Sequence, residues 1–197
     1  MSFRKEKKFR LTLSDMQLLK SNLLSQGMNE LYPMRKVNSC YFDTNEIEMF
    51  HDSDQGVLPR KKIRIRNYND EKIFTKETKI SSEEGRYKKT KKILEQTGEN
   101  TYENIIDNNY GILKPTLFIS YFREYFFLKG LRITFDRNIE YKNLRMITSL
   151  NMKDHECVME IKASIDVEDN YISKVIDMPN ARFSKYCRGI MIFKNLF

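Results

Sequence analysis

The opening FRKEKKFRLTL alternates polar and apolar residues and predicts a strand with Glu6 and Lys8 on one face. Ser14 with Gln17 three residues on makes a capping box, and DMQLLKSNLLSQ behind it predicts an amphipathic helix stopped by Gly27. A second strand is predicted from about Lys36 to Asp43, then a short helix or turn from Asn45 to His51. From Leu58 strands dominate. PRKKIRIRNY and KIFTKETKI predict a hairpin turned at Asn69-Asp70, and GRYKKTKKIL a third strand after the polar turn SSEEG. TYENIIDN predicts a short helix. Two long strands, TLFISYFREYFFL and LRITFDRNIEY, follow Pro115 and hinge at Lys129-Gly130. CVMEIKA is a further strand, ahead of an amphipathic helix near Asp169 to Asp177, ended by Pro179, and a last helix from Ser184 to about Asn195. About eight antiparallel strands with a few flanking helices define an α+β fold, with a closed sheet as one form of it. With no repeat, low-complexity tract or linker, the chain reads as one domain over 1–197.

Residues two apart in a strand share a face. Arg64 and Arg66 share one, with Ile63 and Ile65 opposite; Glu77 shares one with Lys79, with Phe74 and Ile80 opposite. Tyr121 pairs with Arg123, Arg132 with Thr134 and Asp136, and Glu160 with Lys162, each opposite apolar neighbours. An ordinary sandwich would turn such charged faces to water, but then Thr, Ser and Gln would serve as well as Arg and Lys. The alternative closes the sheet with the charged face inward and lets helices cover the apolar outside. Eight strands leave room for side chains and one small ligand. A lumen lined by cations is tolerable only with water, a few carboxylates and an anionic guest, because each unpaired buried cation costs several kcal/mol. Phosphate chains meet that demand.

Charge narrows the picture further. The 197 residues carry 35 Lys+Arg against 27 Asp+Glu, a net charge of +8. Between Arg60 and Lys92 stand thirteen basic and five acidic residues, so the whole surplus sits in that segment. Such a concentration points to a polyanionic partner. Hydrophobic residues at 40% and aromatics at 12% supply a core and exclude wholesale disorder. No apolar run approaches the ~20 residues of a spanning helix, and the N-terminus lacks the apolar centre of a secretory signal. Cys40, Cys157 and Cys187 lack CxxC spacing and read as reduced thiols of a cytoplasmic protein.

The ordered segments EKKF, SCYFDT, KIRIRNY, KETK, GRYKK, SYFRE, LRITFD, MEIK and FSKYC together resemble the VTC domain. That is the polyphosphate polymerase family within the CYTH, or triphosphate tunnel metalloenzyme, superfamily. The resemblance spans nearly the whole chain and implies a tunnel of eight antiparallel strands around a linear phosphate chain. It implies transfer of the γ-phosphate of ATP onto polyphosphate, with a divalent metal, Mn2+ or Mg2+. Carried over by position, the phosphate ligands are Lys8, Arg64, Arg66, Lys79, Lys88, Arg123 and Arg132, with a hydroxyl contact from Tyr121. Arg86 shares the face of Lys88. Ser184 and Lys185 would contact phosphate where the last helix opens, a place that favours anions on its own account. Glu160 is the implied metal-binding carboxylate; Glu6 reads either as a second metal ligand or as a salt-bridge partner.

The triphosphatase branch carries an ExExK signature, and here the first of its glutamates is replaced by Arg4. That departure fits the polymerase branch better than a two-metal hydrolase. No general-base histidine is needed, because an acceptor phosphate oxygen is already anionic at neutral pH. His51 beside Asp52 and Asp54 reads as a chance surface cluster. Lys89 and Lys91 alternate away from Lys88 and read as a solvated edge that also draws polyanions. The expected partners are ATP and polyphosphate or triphosphate, with no specific nucleic acid and no membrane insertion. The other readings are a metal-dependent tripolyphosphatase or nucleoside triphosphatase, and a non-catalytic polyphosphate-binding domain.

Overall fold

The structure, a computed structural model, describes residues 4–69, 71–94, 102–146 and 150–194. Along the chain run β1 (Arg4–Leu11), α1 (Leu13–Ser25), β2 (Asn29–Asp43), α2 (Glu48–Gln55), β3 (Arg60–Tyr68), β4 (Ile73–Ser82) and β5 (Gly85–Leu94). There follow β6 (Ile105–Asp107), β7 (Gly111–Leu128), β8 (Leu131–Asn143), β9 (Asn151–Lys153), β10 (Cys157–Ser164), α3 (Asp169–Val175) and α4 (Lys185–Lys194). The hydrogen-bonded order is β1-β10-β8-β7-β2-β3-β4-β5, with β6 on β7 and β9 on β8. This is the expected α+β class, an antiparallel sheet with a few flanking helices. Among the described residues no helix is long and apolar enough to cross a membrane.

The chain groups into two compact units. Unit 1 holds 1–36, 121–139 and 154–183; unit 2 holds 37–120, 140–153 and 184–197. In unit 1 the ladder pairs Phe9 with Met159 and Met159 with Phe135, which puts these apolar residues on one face. Met16 and Leu23 of α1 and Ile172 of α3 close over that face as a core. Each large side chain so buried contributes about 1.5–3 kcal/mol. In unit 2, Cys40 pairs with Ile65 and Phe42 with Ile63, and Met49 of α2 packs with them. All three cysteines are buried free thiols.

Several elements differ from the expectation. The cap of α1 is Thr12, not Ser14: its Oγ1 accepts the Asp15 N–H at 3.1 Å. β2 begins at Asn29, earlier than its alternation shows. The described residues of TYENIIDN, 102–108, hold no helix; Ile105 to Asp107 form β6, paired with β7 from Leu113 to Gly111, so tertiary pairing overrides local pattern. The hinge at Lys129-Gly130 stands, with φ of 46° and 83° at its two residues. Both values lie in the left-handed region that a two-residue hairpin turn of matching twist requires. Asp70, at the β3–β4 turn, and Asn195 lie outside the described residues. In unit 2 one helix also departs from the role expected of helices. α4 covers the charged side of β2, where the Tyr186 ring stacks on Tyr41 with centroids 5.1 Å apart.

Candidate phosphate-binding site

Unit 2 gathers one cationic cluster on the face opposite its apolar core. The register sets Lys62 against Lys79, Arg64 against Glu77 and Arg66 against Thr75, while Lys88 of β5 stands against Lys79. Glu77 binds the group together. Its carboxylate accepts from Arg64 Nε at 2.6 Å and from Lys88 Nζ at 2.6 Å, with Arg66 Nη1 3.8 Å away. Among the described residues of β3, β4 and β5, Glu77 is the one acid on this face. Arg66 is only 5% exposed and donates from Nε to Ser39 Oγ at 3.1 Å. Arg66 is thus enclosed, Arg64 is partly buried, and Lys88 on β5 stays exposed.

The electrostatics follow from that crowding. Burial alone would raise the Glu77 pKa, yet Arg64, Arg66 and Lys88 bring it down to about 2. Burial likewise opposes ionisation of Tyr41, but Arg64, Arg66 and Lys62 outweigh it and lower its pKa. Arg64 Nη1 donates to the Tyr41 hydroxyl at 2.6 Å. Lys62 is lowered, mainly by burial, and donates to Ser184 Oγ at 2.8 Å just before α4. The Tyr186 hydroxyl donates to the buried Asp43 carboxylate, which also accepts the Met49 and Phe50 N–H groups of α2 at 2.9 Å each. Asp43 therefore fixes α2 and α4 together, and burial pushes its pKa up.

Unit 1 carries a second cluster, again on the face away from its core. Arg123 grips fully buried Asp136 through two bonds of 2.5 and 2.6 Å. Burial works against the guanidinium charge, but Asp136 holds the Arg123 pKa well above its ordinary value. The guanidinium also lies over the Tyr121 ring at 5.3 Å. Arg132 lies over the Tyr125 ring at 5.8 Å, and its buried Nε has no hydrogen-bond partner among the described residues. An orphaned buried donor of this kind calls for an acceptor. Lys8 Nζ donates to the Phe183 carbonyl at 3.0 Å.

The ladder also brings the carboxylates together. Lys8 is paired with Glu160, and Glu6 with Lys162. Lys162 Nζ lies 3.1 Å from Glu160 and 3.5 Å from Glu6, so both acids reach one ammonium. Glu6 is thus a salt-bridge partner in this structure. No group of three or more His, Cys, Asp or Glu is placed to hold a metal ion among the described residues. Two carboxylates remain a donor set that suits a hard divalent cation, provided phosphate oxygens complete its shell. His51 lines a surface cleft with Glu46, Glu48, Asp52, Asn109 and Tyr110.

The expected residues thus fall into two groups. Unit 2 holds Arg64, Arg66, Lys79, Lys88, Ser184 and Lys185; unit 1 holds Glu6, Lys8, Tyr121, Arg123, Arg132 and Glu160. Sequence reasoning missed Lys62, Tyr41 and Ser39. Alternation from Arg64 places Lys62 on the same face and could have found it; Tyr41 and Ser39 show only through the β2–β3 register.

In each unit, clustered Arg and Lys thus stand on the face away from the apolar core. The model of the VTC domain matches residues 3–110 and 85–194, and the chain belongs to that family. No curated protein matches its sequence. Its fold is the CYTH-like one shared with solved structures of low identity. A candidate adenylate cyclase from Bacillus halodurans is 14% identical, with 93% of this chain and 94% of that one covered, at a TM-score of 0.61. A conserved hypothetical protein from Pyrococcus furiosus is 15% identical over 94% and 99% of the two chains, at 0.57. The candidate adenylyl cyclase HpAC1 from Hippeastrum, described as having a dominant triphosphatase activity, is 13% identical over 98% and 96%, at 0.53.

Proposed function

We propose that this protein is a polyphosphate polymerase that transfers the γ-phosphate of ATP onto a polyphosphate chain and releases ADP, acting in the cytoplasm as one domain. The observation that carries the reading is the concentration of cations on one face: Arg64, Arg66 and Lys88 gather on the Glu77 carboxylate, with Lys62 and Lys79 in register beside them. The orphaned Nε of Arg132 adds a donor without an acceptor. A chain of phosphates supplies the missing negative charge and matches the forked geometry of guanidinium groups.

In the transfer, the bond between the β–γ bridging oxygen and the γ-phosphorus breaks and a bond from the terminal acceptor oxygen to that phosphorus forms. Each oxygen ends with its proper charge, and no proton has to move. What the protein contributes is position and neutralisation. Arg64, Arg66, Lys79 and Lys88 grip phosphate oxygens in unit 2, with Ser184 and Lys185 at the start of α4. Arg123, Arg132, Lys8 and the Tyr121 hydroxyl do so in unit 1. Glu160, with Glu6, is where a divalent ion, Mn2+ or Mg2+, would be held, and such an ion withdraws charge from the transferring group.

A metal-dependent triphosphatase is the second reading, favoured by the activity described for the structurally similar Hippeastrum protein. Purified protein incubated with ATP and Mn2+ separates the two. Long polyphosphate and ADP in step are expected; orthophosphate as the sole phosphate product would reject the polymerase.

A further inference from the structure

The outer face of the β4–β5 hairpin carries charge that neither the core nor the cationic site uses. On β2 and β3 that face is apolar, with Cys40 opposite Ile65 and Phe42 opposite Ile63. One strand on, its character changes. Lys76 is in register with Ile65, Lys91 stands directly opposite Lys76, and Lys89 lies opposite Thr78 one pair along. No carboxylate stands on this face of β4 or β5 among the described residues. Lys89 and Lys91 are exposed, Lys76 is half-buried, and none of the three has an ion-pair partner among the described residues.

Like charges directly opposite one another destabilise an antiparallel pair. A face that met only water would be served as well by Thr, or by alternating signs. β5 is the last strand in the order, and its cations fall on both sides of it: Arg86, Lys88 and Lys92 on the site face, Lys89 and Lys91 on the outer face. A linear polyanion that passes Lys88 therefore meets further positive charge on rounding the edge strand.

We propose that Lys76, Lys89 and Lys91 form a docking row for the distal part of a linear polyphosphate chain, continuous around β5 with the phosphate-binding face. The row rests on the proposed polyphosphate reading of that face. Polyphosphate fits better than nucleic acid because the side chain between the lysines is Thr78, which offers no stacking surface for a base. The aromatic residues of this face, Phe74 and Tyr87, stand beyond the row at its two ends.

Titration of long-chain polyphosphate and of tripolyphosphate against wild type and the triple variant Lys76→Gln/Lys89→Gln/Lys91→Gln, over a range of salt, tests the row. Long-chain affinity should fall about tenfold, and the slope of log K against log salt should shrink by about two, the share of three neutralised phosphates. Tripolyphosphate affinity should not change. Removing facing like charges leaves the melting temperature at or above that of wild type, so the loss is not one of folding. The charge-keeping variant Lys76→Arg/Lys89→Arg/Lys91→Arg should bind the long chain as wild type does. Equal long-chain affinity and slope in wild type and the Gln variant overturns the row. So does a loss confined to single-stranded DNA, which would make it a nucleic-acid surface. Failure of wild type to bind tripolyphosphate would instead sink the proposed function, so the two failures are told apart.

Discussion

Glu77 sits among Arg64, Arg66 and Lys88 with its carboxylate side chain 7% exposed, and the charge balance of its cluster turns on it. Its pKa falls from the ordinary 4.5 to about 2. A carboxylate depressed on folding stabilises the folded state above its unfolded pKa and loses that contribution as pH falls toward its folded one. The window is therefore from about 4.5 down to about 2, and the contribution above it is about 3 kcal/mol. Glu77→Gln should melt well below wild type at neutral pH, and the gap should close on acidification through that window. A gap independent of pH would contradict the ion-pair account. Single residues were legible to different depths. Period-two alternation revealed Arg64 and Arg66, because a strand's faces follow from spacing alone. That Glu77 lies opposite Arg64, or that Lys162 stands between Glu6 and Glu160, depends on register between strands far apart in the chain.

Among the elements, α4 depends most on close approach. A methyl group on Gly189 would lie 2.6 Å from both Leu117 Cδ2 and Tyr141 Cδ1. Neither can yield freely, since both are fully buried. Gly189→Ala should thus destabilise by about 1–3 kcal/mol, as overpacking does. Urea denaturation reads this as a lower midpoint; an unchanged midpoint would show that α4 packs less tightly than described. The existence of α4 was legible from its apolar spacing, but the face it covers was not, because Tyr186 finds Asp43 and Tyr41 only in the folded chain. The hairpin of β7 and β8 was legible because Lys129-Gly130 is a turn signal in itself. β6 was misread because three residues are too few to show a period, and their pairing with β7 decides.

For the molecule as a whole, the decisive quantity is the placement of its +8 net charge, which lies within Arg60 to Lys92. On one face of β3 to β5 these cations run from buried Arg66 to exposed Arg86, Lys88 and Lys92, and on the other side of β4 and β5 stand half-buried Lys76 and exposed Lys89 and Lys91. The composition located this surplus. Alternation alone set Lys89 and Lys91 on the side away from Lys88, and the pairing of the strands adds that Lys76 stands opposite Lys91.

Isothermal titration of tripolyphosphate into metal-free protein, wild type against Arg66→Ala, tests the central claim most directly. An enclosed cationic face predicts saturable binding to wild type and a loss of about 1.5–3 kcal/mol in the variant, the worth of a charged hydrogen bond. Absent or non-saturable binding, or equal affinity in the two proteins, would contradict it.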